Sequence, residues 1–148
     1  MSSHERLIDA VEDDTFSRLI GLSWEVAEER NVPVRTKLRP EHINSVGRVH
    51  GGLLYAMADT GMGLTPATVL APSARVTTVS ATVLYLEPAV GEELVAESTL
   101  LHKGRRIASL RCEIRDEAGT LCAVAMGNYY VSEPTGEGPA DRCLREER

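Results

Sequence analysis

The stretch from Leu53 to Leu64 constrains the fold of this chain more than any other. It is dominated by Leu, Ala, Met and Gly, and its single charge is Asp59. A segment that is apolar nearly all round predicts a buried helix rather than a surface one. Gly51-Gly52 opens it. Pro66 predicts its end or a kink, because proline cannot donate the hydrogen bond that continues a helix. A helix start presents unpaired backbone N–H groups and a partial positive charge, which suits a developing oxyanion. The lone acid in the apolar helix calls for a partner or a chemical use.

Around this helix the text reads as strands. Leu22 to Ala27 looks extended, and Glu29-Arg30-Asn31 suits a turn. Val32, Val34, Thr36 and Leu38 then alternate with Pro33, Arg35, Lys37 and Arg39, the period of a half-buried strand. Pro33 restricts that run to a sheet edge or a strand start. Pro40 to Arg48 reads as a loop. After the helix come Val76–Leu86, Leu94–His102, Ile107–Arg115 and Thr120–Val131. Glu87–Gly91, Lys103-Gly104-Arg105 and Asp116–Gly119 separate them. Links this short favour antiparallel pairing. One long helix among about six strands gives an α+β class, the helix covering one face of an antiparallel sheet.

A length of 148 residues predicts one domain, and 43% hydrophobic residues suffice for its core. Leu7, Ile8, Val11, Phe16 and Leu19 suggest a helical segment over residues 1–19, broken near Asp13-Asp14. The domain proper then spans 20–132. The Gly-, Pro- and charge-rich tail, 133–148, reads as disordered. A net charge of −6 argues against a broad nucleic-acid partner. The three cysteines show no CxxC, and the four histidines no compact metal pattern. That predicts a reduced, cytoplasmic protein without a metal. The first twelve residues are too charged for a signal peptide, and no apolar run is long enough to span a membrane.

The motif Asn44-x-x-Gly47-x-Val49-His50-Gly51-Gly52-x-x-x-x-Met57-Ala58-Asp59 closely resembles the PaaI-type acyl-CoA thioesterases of the hot-dog fold. Thr78 to Ala89, Lys103-Gly104-Arg105 and Asp116 to Ala123 resemble the family's later strands and turns, so the likeness covers roughly residues 38–131. It implies a hot-dog fold, an antiparallel sheet wrapped around one central helix. It also implies hydrolysis of acyl-coenzyme A at sites shared between two subunits, with no metal and no cofactor beyond the CoA of the substrate. Dimers paired into tetramers are a further implication. Carried onto this chain, Asp59 becomes nucleophile or general base, and the Gly51 N–H the oxyanion donor. Asn44 would orient substrate or water, His50 would support the site, and Thr78 would hold the attacking water. Counting back from Pro88 selects Thr78, whereas counting forward from Asp59 selects Thr77.

Spacing gives one expectation independently of the family. Gly51 and Asp59 are eight residues apart, about 12 Å along a helix axis. A single carbonyl needs donor and attacking group each within about 3 Å. One helix cannot easily supply both, so Asp59 of a second copy should face this chain's Gly51. A homodimer follows.

Each candidate also has a plainer reading. Asp59 could be a paired helix carboxylate, Gly51-Gly52 a turn, Asn44 turn chemistry, His50 a cap and Thr78 an ordinary strand residue. Glycine at 51 and 52 would otherwise allow close approach of a ligand. Lys103, Arg105 and Arg106 would usually be a solvated hairpin, but CoA phosphates need cations. Tyr85 suits either the core or the acyl path. Two other functions fit the same fold: a hydratase or dehydratase using a His–acid pair, and an acyl-CoA sensor without turnover.

Overall fold

The computed structural model describes residues 14–25, 30–71 and 73–132. Two helices and six strands follow in order: α1 (Thr15–Leu19), β1 (Leu22–Trp24), β2 (Val34–Lys37), α2 (Gly51–Ala67), β3 (Arg75–Tyr85), β4 (Glu93–Lys103), β5 (Ile107–Asp116) and β6 (Leu121–Ser132). A short 3-10 turn, Pro40–His42, sits in the loop before α2. Of the expected N-terminal helix, only Thr15–Leu19 falls within the described residues. The expected tail falls outside them.

The strands form one sheet in the order β1-β2-β4-β5-β6-β3, every pair antiparallel. Hairpins join β4 to β5 and β5 to β6. The strand after the helix, β3, does not pair with its sequence neighbour β4. It crosses to the far edge and pairs with β6. The helix therefore lies across the inner face of the sheet, touching β2, β3, β4, β5 and β6. This is the hot-dog arrangement.

Period-2 patterning explains the inner face. Along β5, Ala108, Leu110, Cys112 and Ile114 are buried, while Arg111, Glu113 and Arg115 pair with one another on the other face. Leu54, Met57, Ala58 and Met62 of α2 pack into the same core. Burying a leucine or methionine side chain in this way contributes about 1.5–3 kcal/mol.

Two expectations hold and one needs correction. The helix ends at Ala67, one residue past Pro66, where the Thr68 N–H turns back to the Thr65 carbonyl. The strand around Val34 begins directly after Pro33, the strand start that proline allows, and β2 lies between β1 and β4 rather than at the sheet edge. The helix, however, is not buried all round within one chain. Leu53, Leu54, Met57, Ala58, Gly61, Met62, Thr65 and Pro66 are buried. Tyr55 is 41% exposed, and Ala56, Asp59, Thr60 and Gly63 are half-buried. A single sheet covers only one face of a helix.

Candidate active site

The site begins at the N-terminus of α2. His50 is its N-cap, with extended backbone, and its Nδ1 accepts from the Gly52 N–H at 2.8 Å. That ties up one of the free donors of the first turn. Gly51 follows as the first helical residue, so its N–H has no intrahelical acceptor. Both glycines sit close against side chains that a Cβ would press on. A Cβ on Gly52 would lie 2.9 Å from His50 Nδ1, and one on Gly51 would lie 3.1 Å from the Tyr85 ring.

Tyr85 ends β3, and its hydroxyl donates to the Gly51 carbonyl at 3.1 Å. Its ring helps wall a cleft of about 270 Å³ beside Gly51, lined also by Leu54, Leu86, Pro88 and Ala89. Asn44 shapes the loop that leads in. Its Oδ1 accepts from the N–H groups of Val46 (3.1 Å) and Arg48 (3.0 Å), and Gly47 takes φ +76° in the turn. This is side-chain turn chemistry. Only the Asn44 amide nitrogen is left for a ligand.

His42 was not singled out by sequence, yet it is buried and anchors this loop. Its Nδ1 accepts from the Arg39 N–H at 3.1 Å, its Nε2 lies 2.9 Å from the Ile20 carbonyl, and its own carbonyl accepts from His50 N–H at 2.7 Å. No local motif marks such a role, because its partners come from three separate segments.

Asp59 sits two turns further along α2. Thr78 Oγ1 donates to its Oδ1 at 2.9 Å, and Tyr129 OH donates to the same oxygen at 2.9 Å. The geometry selects Thr78 over Thr77 as the neighbour of Asp59, and a β-bulge explains why. Register against β6 shifts between Thr78 and Ser80, so Val79 is the extra residue. Below the bulge, Tyr85, Val83 and Ala81 face α2, and simple alternation would bring Thr77 inward. The bulge reverses the phase. Thr78 then stands opposite Tyr129, and directly opposed residues share a face.

Tyr129 is the residue that sequence reading missed. It is only 1% exposed. Burial first, and the Asp59 carboxylate second, push its phenol well above the ordinary tyrosine range, so it stays a neutral donor. The only signal in the sequence was an aromatic in a strand, which is common.

Lys103, Arg105 and Arg106 gather at the β4–β5 hairpin. They line a cavity of about 620 Å³ together with Leu70, Tyr130 and Val131. Arg106 Nη1 donates to Tyr130 OH at 3.4 Å, and its carbonyl accepts from Val131 N–H at 2.7 Å. Cations and Asp59 thus hang on neighbouring residues of β6. The cavity lies toward the C-terminal end of α2, away from Gly51.

Asp59 and Gly51 remain about 12 Å apart along a continuous helix. The arrangement can hold an anion at the helix start and present a carboxylate at mid-helix. No helix among the described residues is long and apolar enough to cross a membrane.

Known proteins match this picture. The sequence model of the thioesterase superfamily matches residues 46–123, more than half of the 148-residue chain. Medium/long-chain acyl-CoA thioesterase YigI of Escherichia coli strain K12 is 27% identical over 131 residues, covering 78% of this chain and 84% of that protein. An Archaeoglobus fulgidus protein named "Putative esterase" is 27% identical over 104 residues, and the match spans 70% of this chain and 66% of the relative. Among solved structures, a variant of the phenylacetic acid degradation protein PaaI from Thermus thermophilus superposes with a TM-score of 0.71. Its identity is 27%, covering 79% of this chain and 98% of that one. With a matching family model, a six-stranded sheet around one main helix and a carboxylate on that helix, the chain belongs to the thioesterase superfamily, a thioester hydrolase of hot-dog fold.

Proposed function

We propose that the chain hydrolyses acyl-coenzyme A to a carboxylic acid and free CoA, as a homodimer with two composite sites. The observation that carries this is the separation of a free helix-start donor at Gly51 from a partly open carboxylate at Asp59. Each suits thioester chemistry, and a distance of about 12 Å along one helix favours completion by a second subunit. Gly51 N–H of one subunit would bind the thioester oxygen as it gains negative charge. Asp59 of the other would attack the carbonyl carbon, or take a proton from the water that does so. Collapse of the tetrahedral intermediate breaks the C–S bond and releases the CoA thiolate; after direct attack it leaves an Asp59 anhydride, which water then hydrolyses to free acid and carboxylate. By either route water supplies the acid's oxygen and the thiol's proton, so no further cofactor is needed.

Several features support the dimer. The outer edge of β3 pairs with no strand of this chain among the described residues, and an unpaired strand of eleven residues is a template for another copy. Val79, Leu84 and Tyr85 along it are at least 55% exposed. The open face of α2 lies beside them. Pairing through β3 would cover both, and dimers could pair again into tetramers. The apolar cleft at Gly51 suits an aryl-acetyl or medium-chain acyl group. Lys103, Arg105 and Arg106 suit the CoA phosphates. Such a substrate and the buried free cysteines, Cys112 and Cys122, fit a cytoplasmic setting.

Thiol release from a panel of acyl-CoAs, with Asp59→Ala alongside, tests the reading. Hydrolysis by wild type and none by the variant is expected. Equal rates would sink the mechanism, and binding without turnover would favour a sensor. Mixing Asp59→Ala with a Gly51-site variant should restore activity in heterodimers. If subunits exchange and none returns, the composite site is wrong.

A further inference from the structure

We infer that Tyr129 is a positioning residue for the reacting carboxylate: with Thr78 it fixes Oδ1 of Asp59 and leaves Oδ2 as the oxygen that reacts. The inference rests on the thioesterase reading above. Both hydroxyl donors converge on Oδ1 at 2.9 Å, and Oδ2 receives no donor among the described residues. A carboxylate terminus otherwise rotates broadly and presents either oxygen. Two donors on one oxygen hold the plane of the group, so the other oxygen points at the substrate with little reorganisation.

The two donors are not equivalent. Thr78 is exposed in the single chain and lies on β3, the strand whose outer edge faces the proposed partner. Tyr129 is locked. Its OH also reaches the Asp59 carbonyl at 3.3 Å, so it grips side chain and backbone of one residue together. Its ring passes through a slot cleared by glycine. A Cβ on Gly127 would lie 2.7 Å from Tyr129 Cε2 and 3.1 Å from Met62 Cε. On the helix side, a Cβ on Gly63 would come 3.8 Å from Cε1, in ordinary contact. A tyrosine serving only as core filler would need no hydroxyl aimed at the one carboxylate of the helix.

Tyr129→Phe keeps the ring in its slot and removes the hydroxyl. Hydrogen bonds to charged groups are strong enough that kcat for acyl-CoA should fall at least about tenfold. KM should stay within about twofold, since binding the substrate does not involve the phenol. In an Asp59→Asn background the same replacement should leave the residual rate unchanged, as expected for a residue acting through Asp59. An unchanged kcat, or losses that multiply in that background, would overturn the assignment while leaving the thioesterase reading intact. A wild-type protein that releases no thiol from any acyl-CoA would overturn both.

Discussion

Asp59 and Asp116 are two aspartates handled in opposite ways. Asp116 closes the β5–β6 turn and is buried. Its Oδ1 accepts from the N–H groups of Ala118 and Thr120, each at 3.0 Å, and its Oδ2 from that of Val90 at 3.2 Å. Both oxygens are engaged, so the carboxylate serves as a clasp between loops. Asp59 has both of its donors on one oxygen, and the donors are hydroxyls rather than backbone amides. One oxygen stays open at a half-buried position. Asp116 thus spends both oxygens on the fold, whereas Asp59 keeps one free of protein donors among the described residues. The same contrast runs through the loop before α2. His50 Nδ1 and Asn44 Oδ1 are engaged by backbone N–H groups, whereas the Gly51 N–H is left open.

The largest effect should come at Asp59. Asp59→Ala should lower kcat about a hundred- to ten-thousandfold while the melting temperature holds, read by thiol release and calorimetry. A variant that melted early and kept its rate would reverse the comparison.

Gly51 comes next. Its N–H can be removed without unmaking the helix, because proline is welcome at the first helical position. His50 already has φ −68° and ψ 131°, the conformation that a following proline demands. The new Cβ would crowd Tyr85, so the informative pair is Gly51→Pro with Tyr85→Ala against Gly51→Ala with Tyr85→Ala. Loss of the donor should make the first slower than the second by about a hundred- to a thousandfold in kcat. Equal rates would mean that the open N–H is unused.

His50→Ala should remove the cap and cost about 1 kcal/mol, a few degrees in Tm, with His50→Asn restoring most of it. A large loss of kcat at unchanged Tm would give His50 a chemical part that its engaged nitrogen does not suggest.

Asp116→Asn should have the smallest effect on rate: none beyond the scatter of the assay. Its effect belongs to stability, and it depends on pH. Burial works against the charge of Asp116, yet the backbone donors from Thr120, Val90 and Ala118 hold its carboxyl below the usual carboxylate range. A depressed native value means that the charged form contributes fully above the unfolded value of about 3.9, and that the contribution fades as pH falls through the lower native one. The Tm deficit of Asp116→Asn should therefore be full at neutral pH and shrink in acid. A deficit that grew in acid would contradict the clasp.

Legibility divides along the same line as reactivity. Asn44, His50, Gly51, Gly52 and Asp59 lie within sixteen residues, and a loop, a cap and a helix start are local structures. Their types and spacing were readable, as were strands with clean alternation such as β5. Thr78 was readable only to within one residue, because a bulge at Val79 sets which neighbour faces the helix. Tyr129 was not readable at all, since an inward tyrosine on β6 meets Asp59 only after seventy residues of chain have folded back.

The sequence by itself determined the elements: one apolar helix with a glycine start and a single acid, set among alternating strands. Those follow from dihedral preference and periodicity, which neighbouring residues impose on one another. Tertiary structure alone decided that β3 crosses to pair with β6, and that Val79 bulges. It also decided that Thr78 and Tyr129 converge on one oxygen of Asp59. Strand order, register and convergence arise when distant segments compete for the same buried face, and no local pattern records the outcome of that competition.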